Sequence, residues 1–155
     1  MLLTHSVRYD ASVDDVRAML TDPAFREKAA WSQGATTVTV AVDGGQVRID
    51  MVSPNTDVPA FARKIAGETV HAIQTEEWSG HSATFAITTP GMPAGVTGTR
   101  TLVADGEGCV DSFEGEAKAR IPLVGGKLEG LIADRLREGW DTEQGVGVAW
   151  LAGQR

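Results

Sequence analysis

Residues 121–151 read IPLVGGKLEGLIADRLREGWDTEQGVGVAWL, and after Pro122 the hydrophobic period becomes helical. Val124, Leu128, Leu131, Ile132, Leu136 and Trp140 fall on one stripe, with Lys127, Glu129, Asp134, Arg137 and Glu138 opposite. An amphipathic helix running on to Leu151 would be roughly 40 Å long at 1.5 Å per residue, about the span of a small domain. Gly130, Gly139, Gly145 and Gly147 each cost about 1 kcal/mol relative to Ala in a helix interior, which predicts bending or fraying in its C-terminal half.

Upstream, the chain is organised mainly by strands. Leu3, His5, Val7 and Tyr9 alternate with Leu2, Thr4, Ser6 and Arg8, the pattern of a half-buried strand. Ser12 then caps a short helix carrying Val13, Val16, Met19 and Leu20, and Asp22-Pro23 starts a second that runs to about Trp31. Thr36, Val38, Val40 and Val42 face Val47, Ile49 and Met51 across an Asp43-Gly44-Gly45 turn, a hairpin. Asp57, Pro59, Phe61 and Ile65 suggest one or two helical turns closed by Gly67. Four more strands are predicted at 68–78, 81–88, 95–104 and 108–119, and the short turns between them force antiparallel pairing.

The order of elements excludes a parallel doubly wound fold, which needs helices alternating with strands. It predicts an α+β domain in which a curved seven-stranded antiparallel sheet wraps the long C-terminal helix, the one large partner for the sheet's apolar face. At 155 residues the chain is long enough for one core, so residues 1–155 are read as one domain.

A net charge of -7 and a pI near 4.9 repel phosphate backbones, so no nucleic acid partner is expected. No apolar run approaches a membrane span, and the N-terminus lacks a basic, then apolar, then small-residue signal, which predicts a cytoplasmic protein. Cys109 is the single cysteine; it excludes an internal disulfide and reads as a small buried hydrophobe.

The order of elements and the stretch Ile121-Pro122-Leu123-Val124-Gly125-Gly126-Lys127-Leu128-Glu129 resemble the START-like, or SRPBCC, superfamily of helix-grip, Bet v 1-like domains. More narrowly, Val58-Pro59-Ala60-Phe61-Ala62-Arg63-Lys64 and Gln74-Thr75-Glu76-Glu77-Trp78 resemble an actinobacterial family known only as domain of unknown function 2505. The resemblance implies a cavity between sheet and last helix, used across the superfamily for lipids, sterols, hormones and polyketides. The superfamily also holds cyclases, aromatases and co-chaperones, so fold alone does not select a function. It carries no catalytic residue over to this chain.

His5, His71 and His81 have no metal-ligand spacing, so neither metal nor cofactor is expected. His71 alternates with Ile73 and reads either as a polar group on the cavity wall or as a structural or surface histidine. Glu76 and Glu77 face opposite sides of a strand, and Glu114 and Glu116 share the solvent face opposite Phe113. Arg100 alternates with Val96, Gly98 and Leu102; if it points inward it needs Asp111 or an anionic ligand group, and otherwise it sits outward or at a barrel end. Gly91-Met92-Pro93-Ala94-Gly95 reads as a loop at the cavity mouth, and no nucleophile or phosphate-loop motif is present.

The expected lining is therefore Val7, Met51, Phe61, Phe85, Ile87 and Leu102, with Phe113, Leu128, Ile132, Leu136 and Trp140, and with His71 and Arg100 as polar members. The leading expectation is an intracellular binding protein for a hydrophobic small molecule, lipid or polyketide-like. One alternative is an enzyme of the cyclase, aromatase or dehydratase kind using Arg100, Asp111 or His71. Another is a protein-interaction module marked by exposed Trp31, Trp140 and Trp150.

Overall fold

The computed structural model describes every residue from Met1 to Arg155. Strand β1 (Leu2–Tyr9) leads into α1 (Val13–Leu20) and α2 (Pro23–Ser32). The Ser12 side chain accepts from the Asp15 amide and the Asp22 side chain from the Ala24 amide, so each helix start satisfies a backbone donor that would otherwise be orphaned. There follow β2 (Thr37–Asp43), β3 (Gln46–Pro54), α3 (Ala60–Ala66), β4 (Thr69–Ser79), β5 (Ser82–Thr88), β6 (Ala94–Asp105), β7 (Gly108–Ala119) and α4 (Gly125–Leu151).

The seven strands form one sheet in the order β1-β7-β6-β5-β4-β3-β2, and every neighbouring pair is antiparallel. Because β1 and β2 lie on opposite edges, the α1–α2 segment joining them has to cross from one side of the sheet to the other. It does so with α1 against β6 and β7, and α2 against β2, β3 and α4. No helix is long and apolar enough to cross a membrane.

α4 runs unbroken for 27 residues, without the fraying expected from its glycines. Tertiary packing outweighs propensity here. A Cβ on Gly147 would lie 2.7 Å from the Tyr9 ring and 3.0 Å from the Met19 methyl, so glycine is what lets the helix approach β1 and α1 this closely. The helix leans on β1, β7 and α2 rather than on the middle of the sheet. Its second half is packed tightly: Trp140, Glu143, Gly147 and Trp150 are all buried. With Trp140 and Trp150 inside, Trp31 is left exposed alone, and the three tryptophans form no surface patch.

Gly98 on β6 faces Gly115 on β7, and the ring of Phe85 closes over the pair. A Cβ at Gly98 would collide with the Glu114 carbonyl oxygen and stand 2.8 Å from the Phe85 ring. Gly98→Ala is expected to destabilise the protein by about 1–3 kcal/mol through overpacking, read as a lower urea midpoint with an unchanged slope.

Candidate functional site

Along the first half of α4, Leu131, Ile132 and Leu136 remain only half-buried although they belong to the apolar stripe. Met51, Val70, Ala72 and Ile87 on the facing strands do the same. Both sets line a cavity of about 500 Å³ between the helix and β3–β5, within the size range of small-molecule sites. Its rim is built by Ser32–Gly34 after α2, by Asn55–Val58 before α3, by Thr89 and Met92, and by Arg135 and Glu138 on α4.

Six of the residues read from the sequence, Met51, Ile87, Leu128, Ile132, Leu136 and Trp140, line this cavity. The others do not, and each for a definite reason. Val7, Phe85 and Phe113 form a solid cluster with Trp140, behind the wall. Phe61 packs against the cluster of Ala62, Ala119 and Leu128, and it is its neighbour Ala62 that reaches the cavity. Leu102 belongs to the large core cluster that includes Tyr9, Phe25 and Trp150.

His71 is on the other face altogether. On β4 the alternate residues Val70, Ala72 and Gln74 line the cavity, so His71 and Ile73 point away; His71 Nε2 meets Asp50 Oδ1 at 2.6 Å, with the ring 42% exposed.

Arg100 points inward, beneath the cavity rather than into it, and is fully buried with Arg26, Glu76, Asp111 and Glu143. Its Nη2 donates to Asp111 Oδ2 at 2.5 Å and to Glu143 Oε1 at 2.7 Å, and its Nη1 donates to Glu76 Oε2 at 3.2 Å. Arg26 donates through both terminal nitrogens to Glu76, at 2.8 and 2.9 Å. Trp78 Nε1 and Gln74 Nε2 complete the set, donating to Glu76 at 3.0 and 2.7 Å. Two guanidiniums and three carboxylates leave this enclosed cluster with a formal charge of -1.

The charges respond unequally to that enclosure. Burial works to raise Glu76, but Arg26 and Arg100 outweigh it and hold its carboxyl well below the usual range. For Asp111 burial wins: with the negative field of Glu143 and Glu76 added, it pushes the carboxyl up in spite of Arg100. Folded protein therefore keeps a proton on Asp111 after the unfolded chain has lost it, and stability falls as pH rises from about 4 through the raised value. Glu76 acts with opposite sign, its contribution being lost only in strong acid. Urea unfolding between pH 3 and 8 should show wild type losing stability relative to Asp111→Asn as pH rises; a relative gain would contradict the assignment.

Trp140 joins the cavity wall to this cluster. Its ring stacks on Phe113 at 4.0 Å and on His5 at 5.8 Å, and the Arg100 guanidinium lies 4.5 Å from the Phe113 ring centre. Gln74 and Glu143 belong both to the network and to the cavity lining, so the greasy hollow has one polar end. The sequence reading missed Arg26, Gln74, Glu76 and Glu143. Glu143 continues the α4 stripe at Leu136, Trp140, Gly147 and Trp150, and Glu76 alternates with Trp78, so both were legible by period; Arg26, beside Phe25 in a short helix, carried no such signal.

A sheet gripping its C-terminal helix, with a hollow between them, defines the helix-grip fold. Solved structures agree: the chain is similar to TTHA0849 from Thermus thermophilus (TM-score 0.69, 18% identity, 99% of each chain covered). It is also similar to norcoclaurine synthase from Thalictrum flavum in complex with dopamine and hydroxybenzaldehyde (TM-score 0.66, 16% identity, 96% of this chain and 86% of that one). A third likeness is to the di-domain ARO/CYC StfQ from the steffimycin biosynthetic pathway (TM-score 0.67, 14% identity), where 96% of this chain spans 49% of that one. No curated protein matches the sequence. The chain belongs to the DUF2505 family of proteins of unknown function, whose pattern matches residues 4–151.

Proposed function

We propose that this protein is a cytoplasmic binding protein that holds a hydrophobic small molecule, lipid or polyketide-like, in the cavity between β3–β5 and α4. The observation that carries this reading is the half-burial of Leu131, Ile132, Leu136, Met51 and Ile87 around a space of about 500 Å³. Apolar side chains left uncovered inside a fold favour an apolar occupant, worth roughly 25 cal/mol per Å² of surface taken from water. The polar residues expected to do chemistry support binding over catalysis: Arg100 and Asp111 are spent on each other, and His71 is on the far face.

A second reading, an enzyme of the cyclase kind, is favoured by one observation, the buried Glu143 carboxyl bordering the cavity. The chain's likeness in fold to an ARO/CYC and to norcoclaurine synthase is consistent with either reading.

Native mass spectrometry of protein purified without detergent should show a fraction carrying an apolar small molecule that organic solvent extracts. Protein that is ligand-free as isolated, and that stays so after incubation with 1-methylnaphthalene, would overturn the proposal.

A further inference from the structure

The polar end of the cavity has a definite chemical sense. Glu143 is 4% exposed; its Oε1 accepts from Arg100 at 2.7 Å, whereas its Oε2 is 3.5 Å from Arg26 Nη2, beyond the 2.7–2.9 Å of a charge-assisted hydrogen bond. That oxygen keeps lone pairs to offer. Gln74 is constrained too. Because the Glu76 carboxylate only accepts, the Gln74 amide must turn its nitrogen toward it, which directs the amide oxygen, an acceptor, elsewhere.

The terminal nitrogens of both guanidiniums are engaged inside the network, Arg26 Nε alone being a buried donor without a partner, and neither Arg26 nor Arg100 lines the cavity. The one basic residue in the lining, Arg135, is exposed at the rim, and the acidic Asp57 and Glu138 also line the cavity. An entering group therefore meets acceptors backed by a cluster that holds three carboxyl groups to two guanidiniums. A carboxylate or phosphate placed there would be repelled in a medium that screens poorly, while an ammonium group would neutralise the cluster and a hydroxyl would find acceptors for its proton.

We propose that the cavity selects apolar molecules whose buried end is a hydrogen-bond donor, an amine or a hydroxyl, and discriminates against carboxylates, with Glu143 Oε2 and Gln74 as the receiving acceptors. This rests on the binding function proposed above and narrows it to a ligand class. It also separates this cavity from a fatty-acid carrier, whose ligand would bring an anion inward.

Four probes sharing one ring system test it: 1-methylnaphthalene, 1-naphthylmethanol, 1-naphthylmethylamine and 1-naphthoate, titrated calorimetrically at 0.15 M salt. Ala72→Trp, which fills the cavity from β4, serves as the control for binding to the acidic surface. The amine and the alcohol are expected to bind at least about tenfold tighter than the carboxylate, the worth of one charge-assisted hydrogen bond gained against one repulsion. Glu143→Gln should reduce the amine's advantage about tenfold, and Gln74→Leu, which leaves the charges in place, should weaken the alcohol and amine but not 1-methylnaphthalene.

Binding of 1-methylnaphthalene with the carboxylate equal to or tighter than the amine would overturn the selectivity and leave the cavity's function standing. Loss of all four, the hydrocarbon included, would overturn both. An amine preference that survives unchanged in Ala72→Trp would place it on the surface and also overturn the inference.

Discussion

Arg100→Met is expected to destabilise the protein by about 3–5 kcal/mol, the cost of removing one partner from a buried ion pair and leaving the others uncompensated. The arithmetic is unusually severe here. Arg100 is the only partner whose guanidinium reaches three carboxylates, and its loss leaves Glu76, Asp111 and Glu143 facing Arg26 alone. Arg100→Lys is expected to recover little, because a single ammonium cannot reproduce the fork that engages Asp111 through Nε and Nη2 together. Equilibrium urea unfolding of the three proteins at one pH gives the comparison. A loss under about 1 kcal/mol for Arg100→Met would mean that the cluster is hydrated and not sealed, since exposed pairs contribute that little.

The second large effect separates a hollow from a packed core. Ala72 lies on β4, opposite Met51 on β3, and lines the cavity. Ala72→Trp projects an indole into that space. In a close-packed interior such a substitution costs about 1–3 kcal/mol. In a cavity it should leave stability unchanged or raise it, by up to about 3 kcal/mol for a large side chain moved out of water. Binding of 1-methylnaphthalene should fall by about tenfold or more at the same time, because the indole takes up the volume and contacts that ligand needs. Thermal unfolding and calorimetry on the same preparation read both. Destabilisation with binding retained would place the ligand somewhere else.

The physical basis of these effects explains which parts of the molecule could be read in advance. Strand count, antiparallel pairing and the α4 stripe were legible because period two and period 3.6 are imposed by burial along a single element. The capping of α1 and α2 was legible because Ser12 and Asp22 act on amides two or three residues away. The site was less so. The alternation of His71 with Ile73 points to the wrong side of β4, since Val70, Ala72 and Gln74 are small or polar and advertise an inner face weakly. A cavity wall lacks the strong hydrophobic signal of a core for the same reason that it is a cavity: its residues stop short of filling the space. Phe85 and Phe113, the strong signals, mark solid packing instead.

The charged cluster shows a further limit. Arg26, Glu76, Arg100, Asp111 and Glu143 come from α2, β4, β6, β7 and α4, and no spacing along the chain relates them. Each by itself resembles a solvent-facing charge; only the closing of sheet on helix brings the five into one ion-paired cluster. Reading Arg100 with Asp111 was possible because those two sit on neighbouring strands with an inward alternation. Glu143 could have been added by extending the helical stripe beyond Trp140.

Binding, selectivity and the tolerance of a tryptophan at position 72 all require the space between β3–β5 and α4 to accept an apolar guest. Methyl-labelled NMR during titration with 1-methylnaphthalene tests that directly. Saturable one-to-one shifts at Met51, Ile87, Leu131 and Leu136, with the methyls of Val103 on the exposed surface unmoved, are the predicted result. Absence of saturable shifts at those four residues, or shifts centred elsewhere, would contradict it.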